Sequence, residues 1–218
     1  MISVVSHIAV LTGDLVGSTG LSPAEVAQAF DALIDCAAMQ ADWHGAPLHF
    51  TRQRGDGWQV ALARPALALR SALAFRAALR CEGGEFDSYI SIAEGEVTGA
   101  IGPDLNAETA AVFVTSGDGL DILKLLSLSE RVVYVDDAYD EGGPLNAVTV
   151  LADHISQGWT PAQAAAILPF LTPGDEPSYT EVAKALGKSR QAVTKALDAA
   201  GYPALKRALH SIEETANG

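Results

Sequence analysis

Two acidic residues stand where a pair of carboxylates could hold a divalent metal ion. Asp14 ends the apolar stretch of "IAVLTGDLVGST" and precedes the small residues Gly17, Ser18 and Thr19, while Asp56 lies in "RQRGDGWQVAL" between two segments that predict strands. Mg²⁺ is usually bound by one or two carboxylates plus substrate phosphates, and small residues leave backbone amides free to approach a phosphate. The pattern predicts an Mg²⁺ or Mn²⁺ site for a nucleoside triphosphate.

A structural explanation of the same residues stays open. In that interpretation Asp14 caps the turn that follows it, and Asp56 occupies a hairpin turn. The pair Asp56-Gly57 is typical of such a turn, because the backbone there can adopt a positive φ angle.

The elements that must position these carboxylates follow from hydrophobic periodicity and helix caps. After the first strand, Ser22, Pro23 and Glu25 form a capping box ahead of apolar residues at helical spacing. The predicted order is strand, helix, hairpin, helix, strand, helix, strand. This order predicts an α+β, ferredoxin-like domain with two helices on one face of a mainly antiparallel sheet. Its first strand and hairpin are neighbours, so Asp14 and Asp56 should meet at one sheet edge.

The chain is predicted to contain two domains. Residues 1–140 form the α+β domain, and residues 141–218 form a helical domain with a helix-turn-helix at about residues 178–200. Two helix starts in the second domain are predicted by the same capping pattern, at Thr160 with Gln163 and at Ser178 with Glu181. The acidic run "DDAYDEGG", residues 136–143, is predicted to link them.

The segment "YTEVAKALGKSRQAVTKALDAAGY" has the spacing of a helix-turn-helix. Ala183 is small where the first helix must approach the second, Gly187 lies at the turn, and Ser189 caps the second helix. An apolar face that joins the two helices consists of Val182, Leu186, Val193 and Leu197. A plain packing unit would have the same spacing, so this alternative stays open beside DNA binding.

If this segment binds DNA, the N-terminal end of its second helix enters a major groove, where arginine reads guanine, glutamine reads adenine and lysines meet phosphates. The predicted DNA contacts are Lys188, Ser189, Arg190, Gln191, Thr194, Lys195 and Lys206, with Arg207 as a further phosphate contact. The net charge of −13 argues against DNA binding over the whole surface. Residues 178–210, however, hold six basic and two acidic residues, against eight basic and 23 acidic in residues 1–177.

Composition narrows the class of protein. The 218 residues include only two cysteines, Cys36 and Cys81, whose distant positions predict neither a disulfide framework nor a zinc site. No apolar run approaches the roughly 20 residues of a membrane helix, and the N-terminus lacks the features of a signal peptide. We therefore expect a cytoplasmic protein that does not enter a membrane.

The motifs of the first part resemble those of class III nucleotidyl cyclase domains over about residues 4–135, and most closely those of small SatD-like bacterial relatives. "LTGDLVGST" is similar to the first metal-binding strand and loop, "RQRGDGWQVAL" to the second, and "YISIAEGEVTGAIG" to the strand and turn that follow. The resemblance implies that Asp14 and Asp56 are the metal pair and that Arg52 occupies the place of the base-selecting residue. The C-terminal part resembles the helix-turn-helix of sigma-factor region 4 and MarR regulators.

One stretch departs from the cyclase pattern. Cyclases carry an asparagine and an arginine on the helix after the glycine-bearing strand, but "ETAAVFVTSGDGLDIL" offers only Ser116, Gly117 and Asp118 there. Loss of a charge-neutralising arginine can slow phosphoryl transfer by about 10³ or more.

Two functional hypotheses remain. The first is a DNA-binding transcriptional regulator, with a degenerate cyclase-like domain that dimerises and senses a nucleotide or metal. The alternative is an active metal-dependent nucleotidyl cyclase with an accessory helical module. The expected partners are double-stranded DNA, a nucleoside triphosphate and a second copy of the chain.

Overall fold

The N-terminal half of the chain is built around one five-stranded sheet. The computed structural model describes residues 5–125, 129–135 and 143–216. The strands, in chain order, are Val5–Leu15 (β1), His49–Arg52 (β2), Gly57–Leu62 (β3), Ser88–Thr98 (β4) and Val132–Val135 (β5). They lie in the order β2-β3-β1-β4-β5, and only β4 and β5 are parallel neighbours. This sheet and its helices confirm the predicted α+β class.

Helices cover both faces of the sheet and continue to residue 216. In chain order they are Pro23–His44 (α1), Ala68–Glu82 (α2), Ala111–Leu125 (α3), Pro144–Gln157 (α4), Pro161–Ile167 (α5), Tyr179–Ala185 (α6), Arg190–Ala199 (α7) and Tyr202–Ala216 (α8). None of the helices in the described ranges is both long and apolar enough to cross a membrane.

The central strand β1 is buried on both faces because a helix layer lies on each side. Its side chains alternate, so Ala9 and Leu11 join the core under α1 and α2, whereas Ile8 and Val10 join a second core under α3. By the same alternation Asp14 belongs to the α3 face. Its register partner in β3 is Gly57.

The helix starts follow the caps that the sequence predicts. Ser22 forms a capping box with Glu25 at the start of α1, and Thr160 and Ser178 form the corresponding boxes of α5 and α6. A side chain that caps a helix satisfies amides which the first turn leaves unpaired, and this effect needs no tertiary contact.

The hairpin between β2 and β3 differs from the prediction in one detail. The positive φ angle, 79°, belongs to Gly55, while Gly57 already begins β3. The Gln53 amide donates to the Gly57 carbonyl at 2.8 Å, which closes a loop of three residues. The hairpin is therefore present and Asp56 lies in its turn, as predicted, but the positive φ angle is at Gly55 and not within the Asp56-Gly57 pair.

The C-terminal helices pack against α2, whose residues from Ala68 to Arg80 are all buried. One apolar cluster runs from the sheet through α2 to residues of α5, α7 and α8. Arg76 of α2 forms buried ion pairs with Asp87, just before β4, and with Asp153 of α4. The proposed boundary between two domains stays a prediction, and most of its linker, residues 136–142, lies outside the described residues.

Candidate functional site

Asp14 and Asp56 meet at one edge of the sheet, where β1 ends beside the hairpin. The Leu15 amide donates to the Asp56 carbonyl at 3.2 Å, and Asp14 lies opposite Gly57 in the β1–β3 register. Their carboxylates are close enough for each to alter the pKa of the other. The tertiary fold therefore brings the two predicted metal ligands together.

The loop after Asp14 contacts the second carboxylate directly. The Ser18 hydroxyl donates a hydrogen bond to the Asp56 carboxylate. Gly17 adopts φ 65°, a left-handed conformation that favours glycine, and Ser18–Gly20 form one 3-10 turn. Thr19 is exposed in that turn. The predicted loop residues thus lie at the rim of the carboxylate pair.

A glycine in β1 makes room for the aromatic residue that supports this edge. A Cβ atom on Gly13 would lie 2.2 Å from the Trp58 ring, so only glycine fits there without displacing the indole. Trp58 donates from Nε1 to Ser88 Oγ at 3.0 Å, and Ser88 Oγ donates to the Asp14 carbonyl at 2.9 Å. The backbone that carries Asp14 is therefore held from the α1–α2 side of the sheet.

The two carboxyl groups have opposite pKa shifts. Burial raises the pKa of Asp14, as does the neighbouring Asp56, and a hydrogen bond from Lys124 opposes this only in part. Burial also acts to raise the pKa of Asp56, but hydrogen bonds from Ser18, the backbone and Asp14 outweigh it and leave that pKa lowered.

Lys124, which the sequence reasoning did not consider, is the cation at this site. Its ammonium group donates to the Asp14 carboxylate, and the charge of Asp56 also acts on it. It lies in the last turn of α3, seven residues after Gly117, and two helical turns place those positions on one face. That spacing is the signal that would have identified it.

Arg52 lies elsewhere. Its guanidinium carbon is 3.9 Å from the centre of the Phe30 ring on α1, and its Nη2 donates to the Gly55 carbonyl at 3.1 Å. Asp14, by contrast, belongs to the face covered by α3. The structure therefore does not bring Arg52 to the carboxylate pair.

The helix α3 carries no arginine. Ser116 is buried, with its hydroxyl 2.7 Å from the Thr12 hydroxyl of β1, and Asp118 is exposed. The one basic residue of α3 is Lys124. Any positive charge that α3 presents to the carboxylate pair comes from this lysine.

The donor set at the pair fits a hard cation that keeps other ligands. In the described ranges no group of three or more His, Cys, Asp or Glu side chains could hold a metal ion. Two carboxylates alone do not complete a zinc site, but Mg²⁺ is commonly bound by one or two carboxylates plus water and phosphate oxygens. The residues present therefore fit Mg²⁺ or Mn²⁺ bound together with a phosphate ligand.

In the C-terminal part, α6 and α7 are joined by the short turn at residues 186–189. Gly187 adopts φ 62°, and the Lys188 amide donates to the Ala183 carbonyl at 2.8 Å, which is the Schellman ending of a helix. Ser189 then caps α7 by accepting from the Ala192 amide. Val193 is buried between the helices.

The predicted DNA contacts on α7 and its turn point away from this core. The exposed residues are Lys188, Ser189, Arg190, Gln191, Thr194 and Lys195. Within the described part of the chain, none of their three cationic side chains has an ion pair, whereas Lys206 of α8 pairs with Glu176 at 3.0 Å. The Thr194 hydroxyl donates to the Arg190 carbonyl at 3.1 Å. The first two turns of α7 thus present an open basic surface.

Comparison of the sequence with models of protein families and with curated proteins finds no match. Similar solved structures include a bacterial light-regulated adenylyl cyclase, at 14% identity and a TM-score of 0.46, over 62% of this chain and 44% of that one. Guanylyl cyclase Cya2 is similar at 21% identity and a TM-score of 0.37, over 54% of this chain and 73% of that one. The chain thus spans less than half the length of the adenylyl cyclase. At these values the similarity is a distant one of fold.

Proposed function

We propose that this chain is a DNA-binding regulator whose α+β part binds a divalent metal ion together with a nucleoside triphosphate. The observation that carries the proposal is the open basic surface at the start of α7, on a scaffold whose apolar side is already buried. The carboxylate pair supports the second part.

The helix α7 exposes more polar side chains than its packing requires. Val193 and Leu197 are the buried residues of α7, and Ala196 also packs against the apolar core. Arg190 and Gln191 lie in its exposed first turn, the part of a recognition helix that reaches base edges in a major groove. A pure packing unit would not need these two side chains.

The carboxylate pair supports metal-dependent nucleotide binding. Asp14 and Asp56 would bind the cation, and the loop from Gly17 to Thr19 would lie beside the phosphates. When bound, the cation would neutralise charge on the phosphate oxygens. Ser18 orients the Asp56 carboxylate, while Trp58 and Ser88 hold the strand that carries Asp14.

A dimer follows from the same proposal. A recognition helix gains affinity when a second copy occupies the next half-site, about 34 Å away along the duplex. Light scattering at micromolar concentration should give the mass of two chains, and the mass of one chain would contradict this part.

DNA binding is tested by selecting a preferred duplex from random sequences and measuring affinity by fluorescence anisotropy. Arg190→Ala should weaken binding to the selected duplex by about 5- to 150-fold, which corresponds to about 1–3 kcal/mol, and relax preference at one base pair. Lys195→Ala should weaken selected and random duplexes alike and reduce the salt slope by about one unit. Arg54→Ala, an exposed arginine in the hairpin loop, is the control. Absence of salt-dependent binding to any duplex would refute the regulator.

A nucleotidyl cyclase is the second candidate, and the position of Lys124 favours it, because this lysine places one positive charge at the carboxylate pair. The absence of arginine from α3 disfavours turnover. Incubation with Mn²⁺ and ATP or GTP, followed by chromatography of the nucleotides, separates the two candidates. A cyclic product that Asp56→Asn abolishes would establish the enzyme.

A further inference from the structure

Within the described ranges, the cationic side chain that contacts the carboxylate pair is Lys124. Its Nζ donates to Asp14, whose side chain is 15% exposed, while the lysine side chain is 43% exposed. Within the described ranges, no other Lys, Arg or His pairs with Asp14 or Asp56. The nearby Asp121, one turn earlier on α3, also acts on the Lys124 ammonium.

A cation is needed here because two carboxylates share a half-buried edge. Without one, each negative charge would disfavour ionisation of the other, and burial would add to that cost. A lysine differs from an arginine in this position, since its ammonium is a compact charge on a flexible stem and does not form a two-pronged hydrogen bond. The contact therefore offsets part of the negative charge of the pair and is weak enough to be exchanged.

We propose that Lys124 is a built-in counter-ion of Asp14 and Asp56, which a divalent cation displaces, and that the released ammonium then binds a phosphate of the nucleotide. This inference rests on the metal–nucleotide site of the proposed function. Lys124 takes the electrostatic role for which α3 has no arginine. Its position in the last turn of α3 keeps it at the rim when it leaves Asp14.

The proposal predicts that metal and triphosphate bind cooperatively. A metal ion that binds alone must displace the Lys124 ammonium from Asp14, and the displaced ammonium then gains no new anionic partner. With a triphosphate present, the displaced ammonium acquires a new anionic partner, which offsets the loss of its contact with Asp14. Removing the lysine should therefore strengthen the binding of the metal ion alone and weaken the binding of the nucleotide.

The test uses Lys124→Met in the full chain, with Lys184→Met on α6 as a matched control. Calorimetry with Mn²⁺ alone should give about 5- to 10-fold tighter binding to Lys124→Met than to the unmodified chain. At saturating Mn²⁺, a non-hydrolysable triphosphate should bind Lys124→Met about 10-fold more weakly. The control should change neither value. If thermal unfolding shows that the methionine variant does not fold, Lys124→Gln replaces it.

The outcomes separate the two levels of the argument. Equal Mn²⁺ affinity in the unmodified chain and Lys124→Met would overturn the counter-ion and leave the metal site standing. Unchanged triphosphate affinity would overturn the phosphate contact. If Mn²⁺ binds neither chain, or binds Asp14→Asn as well as the unmodified chain, the metal site of the proposed function itself is wrong.

Discussion

Two clusters of acidic and basic side chains lie at the same end of the sheet and differ in how they are neutralised. In the buried cluster, Arg76 donates to Asp87 at 3.0 Å and to Asp153 at 2.6 Å, and all three side chains are at most 2% exposed. At the rim, Asp14 and Asp56 share one half-exposed lysine, Lys124.

The buried cluster is completed by groups from several elements. Asp87 also accepts from Arg80 at 2.8 Å and from Arg131, and Asp153 accepts from the Arg131 amide at 2.8 Å. Burial acts to raise the pKa of Asp87, but Arg76, Arg80 and Arg131 outweigh it and hold that pKa below its usual value. These forked arginine contacts join α2, α4 and the start of β4, so they cannot be exchanged for a ligand without separating those elements.

The comparison teaches that burial and the type of base decide what a charge cluster does. Arginines that are buried between carboxylates of different elements hold α2 against α4. A single lysine over two carboxylates leaves a net negative charge that solvent can reach, which is the condition for binding a cation.

The largest expected effect comes from breaking the buried cluster. Arg76→Met should lower the free energy of unfolding by about 3–5 kcal/mol, because it leaves Asp153 and part of Asp87 buried without their partner. Urea denaturation at pH 7 measures this. Arg54→Met, which removes an exposed arginine, should change the value by less than about 0.5 kcal/mol. Similar losses in both variants would mean that the cluster contributes no specific stability.

A pH titration extends the comparison to His44, a buried histidine that lies in neither cluster. His44 Nδ1 accepts from the Arg64 amide at 3.2 Å, and Nε2 lies 3.2 Å from Ser71 Oγ. Burial, with a smaller effect of the Arg64 charge, lowers the pKa of His44 to about 4.

The unfolded chain therefore binds more protons than the folded chain between about pH 6.5 and pH 4, so stability should fall by about 2–3 kcal/mol as the pH drops through this window. His44→Gln should remove that slope, and His154→Gln, at an exposed site on α4, should retain it. A slope that survives His44→Gln would assign the acid sensitivity to another group.

The smallest expected effect on stability comes from the rim, and it has the opposite sign. Asp14→Asn removes one of two repelling carboxylates, so the free energy of unfolding at pH 7 should stay equal or rise by less than about 1 kcal/mol. Asp87→Asn is the matched change in the buried cluster and should destabilise the chain. Equal destabilisation by the two variants would show that Asp14 is a structural residue and not a ligand.

Features that depend on neighbouring residues were predictable. The capping boxes at Ser22, Thr160 and Ser178 all form, because each needs only a side chain three residues away. The alternation of β1 predicted a strand, and the adjacency of β1 and the hairpin followed from the ferredoxin-like order. The hairpin turn at Asp56 was predictable too, but the position of its positive φ angle at Gly55 was not, because several local turn geometries suit a Gly-Asp-Gly sequence.

The contacts of single charges depend on the whole fold. Lys124 meets Asp14 across 110 residues because α3 crosses to the face opposite α1 and α2. The same layering sends Arg52 toward Phe30 on the other face, and its role as a base-selecting residue stays a prediction. Residue type and short-range spacing are properties of the sequence alone, and they specified the helices, the strands and the two carboxylates. Which cation those carboxylates face was decided by the packing of α3 on the sheet, because side chains distant in sequence approach each other only when the layers assemble.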